Sequence, residues 1–108
     1  MAGEQDQFQV VGMVVTWIIL DEAHIGTIAT HPLYRRRGVA EALLRRALHD
    51  ATLHGAQKAF LEVRRSNLAA QGLYRKFGFE IAGVRPHYYK DNQEDALLMN
   101  LDSLEVYA

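Results

Sequence analysis

Three features of this 108-residue chain combine residue types that could do chemistry. His31 to Ala40, reading His-Pro-Leu-Tyr-Arg-Arg-Arg-Gly-Val-Ala, joins an apolar β-branched run to a stretch with helical apolar spacing, so arginines and a glycine stand at a helix start. Amides exposed there, with the positive end of the helix dipole, hold phosphate or pyrophosphate. A solvated basic turn is the alternative, and the segment by itself leaves both open. Glu62 lies inside the otherwise apolar run Lys58 to Val63. Burying an unpaired carboxylate is costly, so Glu62 faces solvent, pairs with Arg64 or Arg65, or is kept as a general base. Tyr74, between Leu73 and Phe77, is either a core aromatic or a phenol able to protonate a leaving group.

The elements that must position these residues follow from periodicity. Val10 to Leu20 and His24 to Thr30 are β-branched runs joined at Asp21-Glu22, which predicts a hairpin. Their near-continuous hydrophobicity predicts strands covered on both faces. Pro32 stops the second strand. Val39, Leu43, Leu44, Ala47, Leu48 and Ala51 recur at helical spacing, and the helix should end near His54-Gly55. Lys58 to Val63 reads as a strand, so the helix between two strands makes a right-handed parallel crossover. Asn67 opens a second helix, with Leu68, Leu73, Tyr74 and Phe77 apolar, and Gly78 closes it. Phe79 to Ala82 is extended, Pro86 interrupts, Lys90 to Gln93 is a turn, and Ala96 to Leu101 is the last strand. The order β-β-α-β-α-β-β defines an α/β domain with a mixed sheet.

Composition narrows the class. One domain is expected over residues 1–108, with a polar, poorly ordered lead over residues 1–7. Hydrophobic content of 49% and charged content of 23% are those of a soluble globular protein. A net charge of −1 gives no global attraction to nucleic acid or anionic membrane, so neither is an expected partner. The absence of cysteine removes disulfides, thiolate catalysis and cysteine metal sites. The five histidines show no metal-ligand spacing, and no metal is expected. The N-terminus has no signal-peptide pattern and Val10 to Leu20 is too short to span a bilayer, so the default location is cytoplasmic.

Several of these pieces jointly resemble the GCN5-related N-acetyltransferases. Arg35 to Ala40, with Gly38 and Ala40 spaced after arginine, matches that family's pyrophosphate-binding pattern. Leu61-Glu62-Val63-Arg64, Ser66-Asn67, Leu73-Tyr74 and Phe77-Gly78-Phe79 look like its second half. Arg85 to Met99, with Tyr88-Tyr89 and Glu94-Asp95-Ala96, is similar to the RimI-type branch, the N-terminal acetyltransferases of ribosomal protein. The resemblance covers about Val10 to Leu101. Family members begin with a strand, two helices and another strand before the region matching Val10, where this chain has a short polar lead; it reads as an N-terminally shortened GNAT-like domain. That segment forms one wall of the acceptor groove in the family, so its loss bears on the acceptor side and leaves acetyl-CoA recognition largely intact. It also leaves Val10 to Leu20 as an exposed sheet edge, through which a homo-oligomer is expected.

The resemblance implies acetyl-CoA as cosubstrate, a protein or peptide N-terminus as acceptor, and direct attack without an acyl-enzyme. It places Ile28, Ala29 and Thr30 beside the pantetheine arm. It wraps the pyrophosphate with the backbone of Arg36, Arg37, Gly38, Val39, Ala40 and Glu41, and adds Asn67 as a coenzyme A contact. Glu62 takes the role of general base and Tyr74 that of general acid, while Tyr34, Tyr88 and Tyr89 line the acceptor groove. An α-amine, with a reference pKa of about 7.7 to 8.0 against about 10.4 for lysine, asks less of the base. The rival readings are acetylation of a small-molecule amine or lysine, and a coenzyme A-binding assembly module that catalyses weakly.

Overall fold

The computed structural model describes the backbone of residues 12–30 and 38–108, and the side chains of 16–26 and 38–108. Five strands and two helices follow one another as β1 (Gly12–Ile19), β2 (Glu22–Thr30), α1 (Val39–Leu53), β3 (Lys58–Arg64), α2 (Leu68–Lys76), β4 (Glu80–Arg85) and β5 (Ala96–Leu101). This is the expected order. The strands form one sheet, β1-β2-β3-β5-β4, in which β2 and β3 are the only parallel neighbours among these strands.

Both crossovers, β2-α1-β3 and β3-α2-β4, advance in the same direction across the sheet. With the right hand that such connections take, both helices land on the same face. The core confirms it. Leu44, Leu48 and Ala51 of α1 and Tyr74 beside α2's end residue Phe77 meet Ala59, Leu61 and Val63 of β3 and Leu97, Met99 and Leu101 of β5. Because side chains alternate along a strand, the residues between these, Phe60, Glu62 and Arg64 of β3 and Leu98 and Asn100 of β5, point to the opposite face.

No helix among the described residues covers that second face, which corrects the expectation that the first strands are covered on both sides. Among the described residues β1 is the edge of the sheet, and Trp17 and Ile19 are 56% and 57% exposed. The second helix also differs in detail. Leu68, expected in the apolar stripe, is exposed, whereas Gln71 is buried and donates from Nε2 to the carbonyls of Arg64 and Arg65 at 3.2 and 2.8 Å. A polar group can be buried there because its amide finds carbonyls where β3 ends: that of Arg64, the last strand residue, which also accepts from the Asn67 amide, and that of Arg65 just beyond it.

Asn67 caps α2 as its type predicts: Oδ1 accepts from the Ala70 amide at 3.1 Å. Asn67→Ala is expected to cost about 1 kcal/mol, read as a lower urea midpoint at unchanged slope. After β5 the chain makes a 3₁₀ turn, Glu105–Tyr107, which carried no sequence signal. Leu104 is buried, the Tyr107 ring stacks on Phe77 at 5.9 Å, and its hydroxyl donates to the Phe77 carbonyl at 2.7 Å.

Candidate active site

The parallel pairing of β2 and β3 is short. It runs from Glu22 opposite Lys58 to Ile25 opposite Leu61 and ends there, although both strands continue. At the next residue β2 carries an extra one: Val15 pairs with Thr27 and Thr16 with Ile25, leaving Gly26 bulged. A bulge bends its strand and sharpens the local twist, so it helps turn β2 away from β3. Gly26 has no room for a side chain, since a Cβ there would lie 2.1 Å from Trp17 Cζ3. The strands therefore part, and backbone groups that would have formed a ladder are available to a ligand.

Beside this split, on the helix-free face, lies a groove of about 720 Å³. Trp17 and Ile19 of β1, His24 of β2, Phe60 and Glu62 of β3, Leu98 and Asn100 of β5, and Arg85, Tyr88 and Tyr89 line it. His24 stacks on Phe60 at 5.3 Å, and Tyr88 meets Tyr89 edge to face at 5.1 Å. Glu62 is 34% exposed and its Oε2 lies 3.4 Å from Arg85 Nη1. That separation is an ion pair without hydrogen-bond geometry, and Oε2 has no hydrogen-bond partner although it is itself buried. Arg85 in turn lies over the Tyr88 ring at 4.9 Å. Sequence reading singled out neither Arg85 nor Trp17 for this site. The alternation along β3 could have placed Phe60 with Glu62, but nothing local marks Arg85.

Tyr74 is not in the groove. It is buried on the helix face, edge to face with Phe79 at 6.0 Å. Burial, and secondarily the neighbouring Tyr89, pushes its phenol above the usual tyrosine value, so it stays protonated across the neutral range. Tyr89 is raised too, first by burial and then by the nearby carboxylates and Tyr88, with Arg64 opposing. Glu62 and Tyr74 thus belong to opposite faces of the sheet.

The start of α1 has the features an anion requires. Gly38 takes a left-handed backbone, φ +75°, that disfavours any residue with a Cβ, and nothing lies within 4 Å of where that Cβ would be. The first intrahelical bond runs from Ala42 N–H to the Gly38 carbonyl at 3.0 Å, so the amides of Val39, Ala40 and Glu41 have no acceptor within the helix, and among the described residues no side chain caps them. The Glu41 side chain points elsewhere: Lys76 Nζ lies 3.0 Å away and Arg45 Nη2 3.3 Å, and the Lys76 hydrogen bond holds its carboxyl below the ordinary value. Arg36, Arg37 and Tyr34 lie outside the described residues, and of Ile28, Ala29 and Thr30 only the backbone is described, paired with β1. Asn67 is the α2 cap described above.

A mixed sheet with a split parallel pair, a bulge at the split and a glycine-led helix start suited to an anion defines an α/β domain with an open groove beside the split. Residues 2–79 match the acetyltransferase (GNAT) family, and the chain belongs to it. It is 39% identical over 95 residues to the ribosomal protein bS18-alanine N-acetyltransferase of Escherichia coli K12, covering 86% of this chain and 64% of that one. A Bacillus subtilis relative is 48% identical over 83 residues, 77% of this chain and 55% of that protein. The chain therefore spans a little over half to just under two thirds of these relatives' length. Among solved structures, Ard1 from Thermoplasma volcanium superposes with a TM-score of 0.78 at 34% identity, over 84% of this chain and 62% of that one. The Escherichia coli ribosomal-protein-S18-alanine N-acetyltransferase gives 0.76 at 32% identity, over 93% and 74%.

Proposed function

We propose that the chain transfers the acetyl group of acetyl-CoA to the α-amine of a protein or peptide N-terminus. The observation that carries this reading is the Glu62 carboxylate, held in an aromatic-lined groove beside the split between β2 and β3. Acetyl-CoA supplies the activated thioester. The uncapped start of α1, from Gly38 to Glu41, is suited to its pyrophosphate, and Ile28 to Thr30 offer backbone beyond the bulge to its pantetheine arm. Asn67 is a further contact on this reading.

The neutral amine attacks the thioester carbonyl, Glu62 accepts the proton that the amine loses, and the carbon–sulfur bond breaks. The departing thiolate takes a proton from Tyr74, whose raised pKa keeps it a donor at neutral pH. Acid and base on opposite faces suit a thioester threaded through the gap between them. Tyr88 and Tyr89 flank the acceptor, and Arg85 occupies the carboxylate until an amine displaces it. The relatives named for alanine N-acetylation of a ribosomal protein support an N-terminal acceptor, and a further neighbour, a NatC complex bound to Gag peptide and CoA, superposes at 0.77 with 26% identity. The experiment is thiol release from acetyl-CoA with an alanine-starting peptide, beside the same peptide N-terminally blocked with a free lysine. Release with the first alone supports the reading, and release with the second alone overturns it.

The reading carries a cytoplasmic location, which the cysteine-free composition accommodates. It also carries self-association through β1, an edge strand whose Trp17, Ile18, Ile19 and Leu20 are exposed. Light scattering over rising concentration is expected to show a dimer, and a monomer throughout would end this part of the proposal.

A further inference from the structure

We infer that Arg64 is a positioning residue for the acceptor: its guanidinium clamps the connection between β4 and β5, residues 86–95, so that Tyr88 and Tyr89 stand as a wall of the groove beside Glu62. The inference rests on the acetyltransferase reading for what the wall does, and on geometry for how it is held.

Arg64 lies two residues beyond Glu62 on β3 and so shares its face. Nη1 and Nη2 donate to Oδ1 and Oδ2 of Asp91 at 3.1 and 3.0 Å, a fork on a fork. The same Nη1 reaches Asn92 Oδ1 and Glu94 Oε1, each at 3.3 Å. Its guanidinium carbon sits 4.0 Å from the centre of the Tyr89 ring. Glu94 then ties the loop a second time, Oε2 accepting from the Ser66 amide at 2.6 Å, while the Tyr89 amide donates to the Glu94 carbonyl at 3.1 Å. One side chain thus holds the loop by its acid, its amide and its aromatic ring.

Besides Arg64 and Ser66, Arg65 holds the end of the loop, its amide donating to the Asp95 carbonyl at 3.1 Å and its Nε lying 3.3 Å from the Asp95 carboxylate. Of residues 86–93 only Tyr89 is even partly buried, so the loop has almost no apolar anchor on the core. Its position depends on polar contacts, and most of these converge on Arg64. The hydrogen bonds from Arg64 and Ser66 hold Asp91 and Glu94 below their ordinary values. The clamp is therefore complete above their unfolded pKa values and is lost as pH falls through the lowered ones.

Exposed ion pairs contribute little to global stability, whereas a misplaced groove wall costs heavily in rate: about a hundredfold per ångström. A positioning role therefore separates from a structural one. Lysine is no substitute, because it supplies neither the fork nor a planar face for the ring.

The test compares Arg64→Gln, Asp91→Asn and their double variant in the 108-residue chain by hydrogen exchange and peptide kinetics. In Arg64→Gln, amide protection over residues 86–95 is expected to fall by about tenfold or more while β3 and β5 keep theirs. kcat/KM for the alanine-starting peptide should fall by about tenfold to a hundredfold, with KM for acetyl-CoA within about twofold. The double variant should be no worse than Arg64→Gln, since the Asp91 contact is already lost in the single variant. Unchanged loop protection overturns the inference, as does lost protection with an unchanged peptide kcat/KM. If the unaltered chain acetylates no peptide, the acetyltransferase reading fails, and the exchange data still decide whether Arg64 holds the loop.

Discussion

Glu62→Gln is expected to lower kcat for acetylation of an alanine-starting peptide by about 10²- to 10⁴-fold, the range for losing a general base. Glutamine keeps the size of the side chain and an oxygen near Arg85, and removes only the capacity to accept a proton. The fold should not suffer. The Glu62–Arg85 pair is partly solvated, with side chains 34% and 53% exposed and no hydrogen-bond geometry at 3.4 Å. Such pairs contribute about 0 to 1 kcal/mol, so the melting temperature should barely move. Tyr74→Phe keeps the ring against Phe79 and removes the proton donor. Its effect should be smaller, because a thiolate, whose conjugate acid resembles cysteine at about 8.5, leaves more readily without help than an alkoxide or amine. Thiol release and a thermal melt on each variant check both statements. An unchanged kcat in Glu62→Gln would remove it from the mechanism.

The largest expected loss of stability is at Phe79, which is 1% exposed and among the bulkiest side chains enclosed by the core. Phe79→Ala should cost about 3 to 5 kcal/mol, the sum of lost transfer energy and the cavity left behind. Against the 5 to 15 kcal/mol that holds a domain together, that is a large share. It corresponds to a fall in melting temperature on the order of 10 to 20 °C. The effect reaches the site as well, because Phe79 supports the edge of the Tyr74 ring. Ile81→Ala, two residues along at a 43% exposed position, is the control and should cost far less. Urea unfolding of the three proteins checks the ranking, and equal losses would mean that the core is not packed as described.

These two residues also mark how much of the molecule is legible in its sequence. Glu62 was readable because a carboxylate in an apolar strand is anomalous and periodicity of two gives it a face. Its Arg85 partner was not, because the two are joined only by the β3-β5-β4 pairing, which no local pattern encodes. The expectation for β1 failed for a related reason: an apolar run reports that a strand can be buried, not whether a neighbour exists to bury it. The turn from Glu105 to Tyr107 was missed because it satisfies a group distant in sequence, the Phe77 carbonyl, and Gln71 because its partners lie outside its own helix, where the chain leaves β3.

By itself the sequence determined the element order, the glycine-led start of α1, the Asn67 cap and the family, since each depends on residues within a turn or two of one another. Only the tertiary structure decided which side chains share a face. Two crossovers of the same hand put both helices on one side of the sheet and leave Glu62, Arg64 and the tyrosine loop on the other. The split between β2 and β3 and the Arg64 clamp are likewise products of strand pairing, which brings together residues some thirty positions apart.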